Sequence, residues 1–214
     1  LPLGFEMYCL TYNKKYFDEK GIKVPTTLDE LSELAVKLKD WNGPGSYGVA
    51  VRGTRNWATI HPGYMSSFVS AGAKDFVVEG GKLMSALGSP DSVELTKKFA
   101  DMIKKGGPPG WSNYTWYQCG ADLGAGKAAI LYDADILGYF NNVPGSSSQA
   151  GNLAFAPPVV SKAGEQPMSN EWVWQLAMNS TSKNKKAAWL FIQYFTGPEF
   201  TLWAAVNAKT VDPA

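Results

Sequence analysis

Two carboxylates, Asp133 and Asp135, stand two residues apart directly after the apolar run Ala128 to Tyr132. Trp116 and Tyr117 lie just upstream of that run, and Tyr139 just downstream. In an open α/β sheet, ligands bind in the crevice outside the carboxyl ends of the strands. Carboxylates at such an end, with aromatic rings on either side, suit a hydroxyl-rich small molecule. Charged groups form short, strong hydrogen bonds with hydroxyls, and ring faces cover C–H surface. The same pair could instead serve as the two carboxyl groups of glycoside cleavage, provided a strand continues through both and turns them the same way.

Other chemistry is thinly supported. The single histidine, His61, precedes Pro62 in an expected loop, where a structural role is the ordinary one. No GxSxG element is present, and neither Cys9 nor Cys119 has an obvious base beside it. The two cysteines lack a CxxC or Cys/His pattern, so no metal is expected, and their pairing is left open. Gly126-Lys127 fails as a phosphate loop, because Ala121 and Ala128 occupy the positions that need Gly and Ser/Thr. No GxGxxG opens a helix after a strand, so no cofactor is expected. The triplets starting at Asn113 and Asn179 match the glycosylation pattern, which arises often by chance.

Aromatic residues depart most from average: 8 Trp, 10 Tyr and 10 Phe in 214 residues. Trp57, Trp111 and Trp116 fall in or beside expected loops, and Trp172 and Trp174 open an expected strand. Glu6, Arg52 and Asp133 fall at or near expected strand ends. Each Trp could equally be core, but this clustering favours a binding surface. The net charge of +1 excludes a global field for nucleic acid or anionic membrane. The basic cluster Lys183, Lys185 and Lys186 reads as a solvated helix start. No run approaches the roughly 20 apolar residues of a membrane span, and no signal peptide is seen.

These groups are positioned by an alternation of strands and helices. Glu6 to Tyr12 reads as a strand, and Asn13 to Gly21 as a short helix with a glycine cap. Thr27 and Glu30 form a capping box ahead of Leu28, Leu31, Leu34 and Leu38 on one helical face. Tyr47 to Val51 is a strand, Arg52 to Gly63 a loop, and Tyr64 to Gly72 a helix. Lys74 to Leu87 is a hairpin turning at Gly80-Gly81. Ser89-Pro90-Asp91 starts a helix that runs to Lys105. After the stretch Gly120 to Phe140 come a loop, strands over Leu153 to Val160 and Trp172 to Met178, and helices over Lys185 to Phe195 and from Pro198. The alternation predicts an α/β fold with a mainly parallel sheet.

The order of several motifs resembles the extracellular solute-binding proteins of ABC importers, the large family-1 sugar-binding group. They are Tyr12-Asn13-Lys14 with Phe17, Gly21 and Pro25-Thr26-Thr27-Leu28-Asp29-Glu30; Gly126-Lys127-Ala128-Ala129; and Ser182-Lys183-Asn184-Lys185 with Ala187-Ala188-Trp189 and Phe191-Ile192. Within the group, Arg52-Gly53, Gly107-Pro108-Pro109-Gly110, Asp133-Ala134 and Trp172-Val173-Trp174 are similar to sorbitol/mannitol-type polyol binders. Phe5 and Asp135 depart from that pattern. The resemblance implies a two-lobed, periplasmic binding protein type II-like α/β fold with mainly the C-terminal lobe present. Residues 1–10 would be a crossover strand and 11–151 the C-terminal lobe. Residues 152–200 would return to the N-terminal lobe, and 201–214 would begin a further helix. It also implies a sugar or sugar-alcohol ligand bound in an interlobe cleft lined by Glu6, Arg52, Trp57, Asp133 and Trp172; the aromatic clustering adds Trp116 and Trp174 as expected contacts. An ABC permease partner, a monomeric state, a periplasmic or cell-surface location and no enzymatic activity would follow. An isolated half-cleft would bind its ligand weakly or not at all.

Overall fold

The computed structural model describes residues 1–55 and 61–208, without the side chains of His61 and Pro62. The elements run β1 (Pro2–Asn13), α1 (Lys14–Lys20), α2 (Leu28–Lys37), β2 (Tyr47–Ala50), α3 (His61–Ser70), β3 (Phe76–Glu79), β4 (Lys82–Ser85) and α4 (Pro90–Gly106). After a 3-10 turn at Trp111–Asn113 come α5 (Trp116–Gly124), β5 (Ala128–Ala134), α6 (Asp135–Asn142), β6 (Leu153–Ala156), β7 (Glu171–Gln175), α7 (Lys185–Phe195) and α8 (Pro198–Trp203). The chain divides into two units: Tyr8–Asn170, and Leu1–Met7 together with the segment from Glu171 onward.

The helix starts follow from local chemistry. Thr27 accepts the Glu30 amide while the Glu30 carboxylate takes the Thr27 amide, so two orphan donors of α2 are satisfied reciprocally. Ser89 caps α4 with Pro90 at its first turn. Thr115 and Gln118 repeat the capping box on α5. One expected loop is shorter than the sequence suggested, since α3 already begins at His61.

In the larger unit the strands lie in the order β2-β5-β1-β6. Only β2 and β5 are parallel; β1 runs antiparallel to both β5 and β6. The expectation of a mainly parallel sheet is therefore wrong. Helix–strand alternation produces parallel neighbours only where consecutive strands are joined by crossovers within one sheet. Here the first strand of the chain inserts between β5 and β6 from the opposite direction.

β5 is buried along its whole length and separates two cores. Ile130 and Tyr132 face a cluster with Leu31, Phe68, Leu95 and Met102 from α2, α3 and α4. Leu131 faces the other way, with Ala50, Cys119, Leu123 and Leu137. The period of two along a strand therefore puts Asp133 on the Leu131 side. Sheet and helix layers approach very closely at Gly48, where an added Cβ would lie 2.0 Å from the Ala35 carbonyl oxygen. β3 and β4 form a separate hairpin.

In the smaller unit the first half of β1 pairs antiparallel with β7, placing Glu6 opposite Trp172. Its helices carry a chain of ring contacts: Phe191–Phe195 at 4.4 Å, Phe195–Phe200 at 4.4 Å and Phe200–Trp203 at 5.8 Å.

Candidate functional site

Register brings together two of the residues expected to contact a ligand. Tyr47 lies opposite Ala128, Val49 opposite Ile130 and Ala50 opposite Leu131. Continued by two residues, the same offset sets Arg52 opposite Asp133, at the carboxyl ends of two parallel strands. Their side chains meet there. Arg52 Nε donates to Asp133 Oδ2 at 2.7 Å and Nη2 donates to Oδ1 at 2.5 Å. Asp133 also accepts its neighbour's amide, from Ala134 N at 2.6 Å. The Asp133 side chain is fully buried, and that of Arg52 is 11% exposed. Burial works against the guanidinium charge, but the hydrogen bonds and charge of Asp133 outweigh it and hold Arg52 above its ordinary pKa. The guanidinium also sits over the Tyr8 ring, 5.7 Å from its centroid. Its remaining N–H groups find no acceptor among the described residues.

The backbone around Arg52 is clamped as well. Trp111 Nε1 donates to the Arg52 carbonyl at 3.1 Å. Gly53 and Thr54 donate their amides to the Tyr114 carbonyl at 2.9 and 3.1 Å. Gly53 has no room for a side chain, since a Cβ there would lie 2.1 Å from the Trp111 carbonyl oxygen and 2.6 Å from its indole.

The geometry removes the basis for a carboxylate dyad. Asp133 lies inside β5, whereas Asp135 opens α6 and takes the Ile136 amide at 2.8 Å. The strand does not continue through both, so the two side chains belong to different elements. A fully buried carboxylate with both oxygens bound to Arg52 is not a free acid or nucleophile. Both cysteines are free thiols. Burial, with Asp135 and Asp133 nearby, pushes Cys9 up to about 12, and burial and Asp133 raise Cys119 as well. Neither is a thiolate at neutral pH. Among the described residues no group of acidic, His or Cys side chains could hold a metal.

The smaller unit carries a second constellation. Trp174 Nε1 donates to Glu6 Oε1 at 2.8 Å across the β1–β7 pair. The Trp172 and Trp174 rings meet edge to face at 6.0 Å, and are 44% and 47% exposed. Exposed indoles beside a carboxylate supply an apolar face and a hydrogen-bond acceptor together.

Of the seven residues expected to contact a ligand, the structure pairs Arg52 with Asp133 and groups Glu6 with Trp172 and Trp174. Trp116 starts α5, stacks on Tyr117 at 4.0 Å and packs against the Leu123 cluster. Trp57 lies outside the described residues. Tyr8, Tyr114 and Asp122 were not expected at this site, and Trp111 was named only among the aromatic residues of loops. Asp122 had a readable signal, being a carboxylate in the middle of a small-residue helix.

The chain belongs to the bacterial extracellular solute-binding protein family, whose model matches residues 1–201. It is 42% identical over its whole length to an erythritol/L-threitol-binding protein of Mycolicibacterium smegmatis, of which it covers 44%. Over 94% of the chain it is 29% identical to a mannitol-binding protein of Pseudomonas aeruginosa, of which it covers 45%. The chain thus spans about half the length of the curated relatives it matches. Among solved structures it is similar to a solute-binding protein of Agrobacterium vitis with bound D-mannitol. That match has a TM-score of 0.81 and 28% identity, and covers 99% of this chain and 50% of the other. One of Agrobacterium radiobacter in complex with ribitol matches with a TM-score of 0.81 and 26% identity, covering 94% and 49%. The α/β fold is that of about half of each of these solute-binding proteins. Among the described residues no helix is long and apolar enough to cross a membrane.

Proposed function

We propose that this chain is part of the substrate-binding component of an ABC importer, and that the whole protein captures an acyclic sugar alcohol. The observation that carries this reading is Arg52: a charged, nearly buried guanidinium, held from one side by Asp133, with N–H groups that lack an acceptor among the described residues. Those donors are not among the buried, unpartnered polar atoms of the described residues, so they are open to water or to a ligand, and vicinal hydroxyls are well matched to the planar fork. In this reading Asp133 acts through Arg52, Glu6 accepts ligand hydroxyls, and Trp172 and Trp174 cover C–H surface. Trp57 and Trp116 remain proposed contacts. The erythritol/threitol, mannitol and ribitol ligands of its relatives support the ligand class.

The whole protein would work outside the cytoplasmic membrane, in the periplasm or on the cell surface, as a monomer that hands its ligand to permease subunits. We take residues 8–170 as the substance of one lobe, with Leu1–Met7 and the segment from Glu171 onward belonging to another. The test is thermal unfolding of the whole protein with erythritol, ribitol, mannitol, glucose and maltose. Ligand that binds only the folded state raises the midpoint by mass action, about 2.7 kcal/mol at a hundredfold excess over Kd. A shift with one or more alditols and none with the disaccharide supports the reading. No shift with any of them, or cleavage of an aryl glycoside that an Asp133→Asn variant loses, would overturn it.

A further inference from the structure

A buried carboxylate of the larger unit has no part in the ligand reading so far. Asp122, on α5, accepts the Tyr47 hydroxyl at 2.8 Å and the Tyr114 hydroxyl at 2.7 Å, both on Oδ2. Its other oxygen lies 3.6 Å from Lys127 Nζ, and the Asp122 side chain is only 12% exposed. Tyr47 begins β2, the strand that delivers Arg52. Tyr114 offers its main-chain carbonyl to the amides of Gly53 and Thr54, directly after Arg52. One carboxylate thus grips both the start of β2 and the segment that clamps the residues following it. Two phenols converging on one buried carboxylate fix α5, β2 and the Tyr114 segment in one arrangement.

We propose that Asp122 and Tyr114 are positioning residues for Arg52: the Tyr114–Asp122 hydrogen bond sets where the Gly53–Thr54 backbone, and with it the Arg52 guanidinium, stands. The proposal rests on the reading of Arg52 as the polyol-binding group only for its second test. The first test needs no ligand. In the whole protein, the Nε–H resonance of Arg52, assigned by its loss in Arg52→Lys, should exchange slowly with water because Asp133 holds it. Tyr114→Phe, which removes one hydroxyl and keeps the ring, should speed that exchange roughly tenfold, and Asp122→Asn should speed it less, since an amide oxygen still accepts. An unchanged rate in Tyr114→Phe would overturn the proposal, whatever the protein binds.

The second test is a double-mutant cycle on the affinity for erythritol, ribitol and mannitol, taking the tightest. Tyr114→Phe should weaken binding by about 3- to 10-fold, the weight of one hydrogen bond. In an Arg52→Lys background the same change should cost less than about twofold, because the guanidinium it positions is gone. Equal losses in both backgrounds would identify a merely structural role and overturn the proposal. Absence of alditol binding in the unaltered protein would remove the ligand reading alone, with the exchange rate still deciding the positioning role.

Discussion

Arg52, two residues past the end of β2, and Asp133, within the parallel strand β5, lie 81 residues apart in sequence and are joined by two hydrogen bonds. The pair is nearly closed to water, so its energetics are asymmetric. Removing one partner strands the other charge, whereas replacing both by apolar groups need not destabilise. We expect Asp133→Asn to cost about 3 kcal/mol in urea unfolding. The double change Arg52→Met with Asp133→Leu should recover most of that loss without restoring any alditol binding. A near-neutral Asp133→Asn would show that the pair contributes little to folding.

The alkaline side of the stability profile should carry the mark of the buried acids. Burial, and then the bond to Asp122, raise the Tyr114 phenol from 10.0 to about 12. The folded state therefore holds this proton more tightly than the unfolded chain does. Its contribution is fully present below pH 10 and is lost as pH rises through about 12. Cys9, raised from 9.0 to about 12, acts in the same sense over a wider window. Melting midpoints should therefore fall from pH 9 to 12, and Tyr114→Phe should flatten the part above pH 10. The same slope in the variant would contradict the assignment.

Two glycines separate packing from composition. A Cβ at Gly48 would collide with the Ala35 backbone, 2.0 Å from its oxygen and 2.4 Å from its Cα. Gly48→Ala should cost about 1–3 kcal/mol or more, because backbone rather than a flexible side chain must move. Exposed Gly88 has open space around it, and Gly88→Ala should stay within about 0.5 kcal/mol. Similar midpoints for both would mean that the α2–β2 approach is looser than described.

On the smaller unit, Glu6 holds the Trp174 indole with one oxygen. If the other meets ligand hydroxyls, Glu6→Gln should weaken alditol binding about tenfold, in the range for a hydrogen bond to a charged group. The effect should appear in calorimetric Kd with the melting midpoint almost unmoved. Unchanged affinity would exclude Glu6 from the contact.

Much of the local structure could be read from residues, because its causes are local. The Thr27/Glu30 capping box, the Gly80-Gly81 hairpin and the Ser89-Pro90 helix start need only a few neighbours, and each formed as expected. Helix α7 spans the expected Lys185–Phe195. Strand direction was not legible, since nothing within β1 says whether its neighbours run with it or against it. Arg52 and Asp133 were each expected at or near strand ends, but not as partners. Their pairing follows from the β2–β5 register, in which an Arg five residues after Tyr47 matches an Asp five residues after Ala128. The Asp122–Tyr114 brace depends on three elements meeting in space, and spacing alone does not reveal that.

The most direct test of the account is calorimetric titration of the whole protein with erythritol, ribitol and mannitol, beside an Arg52→Met variant. The account predicts saturable one-site binding of at least one alditol at micromolar Kd, about −8 kcal/mol, reduced at least a hundredfold by Arg52→Met. Binding of equal strength in that variant, or no saturable heat from any of the three, would contradict it.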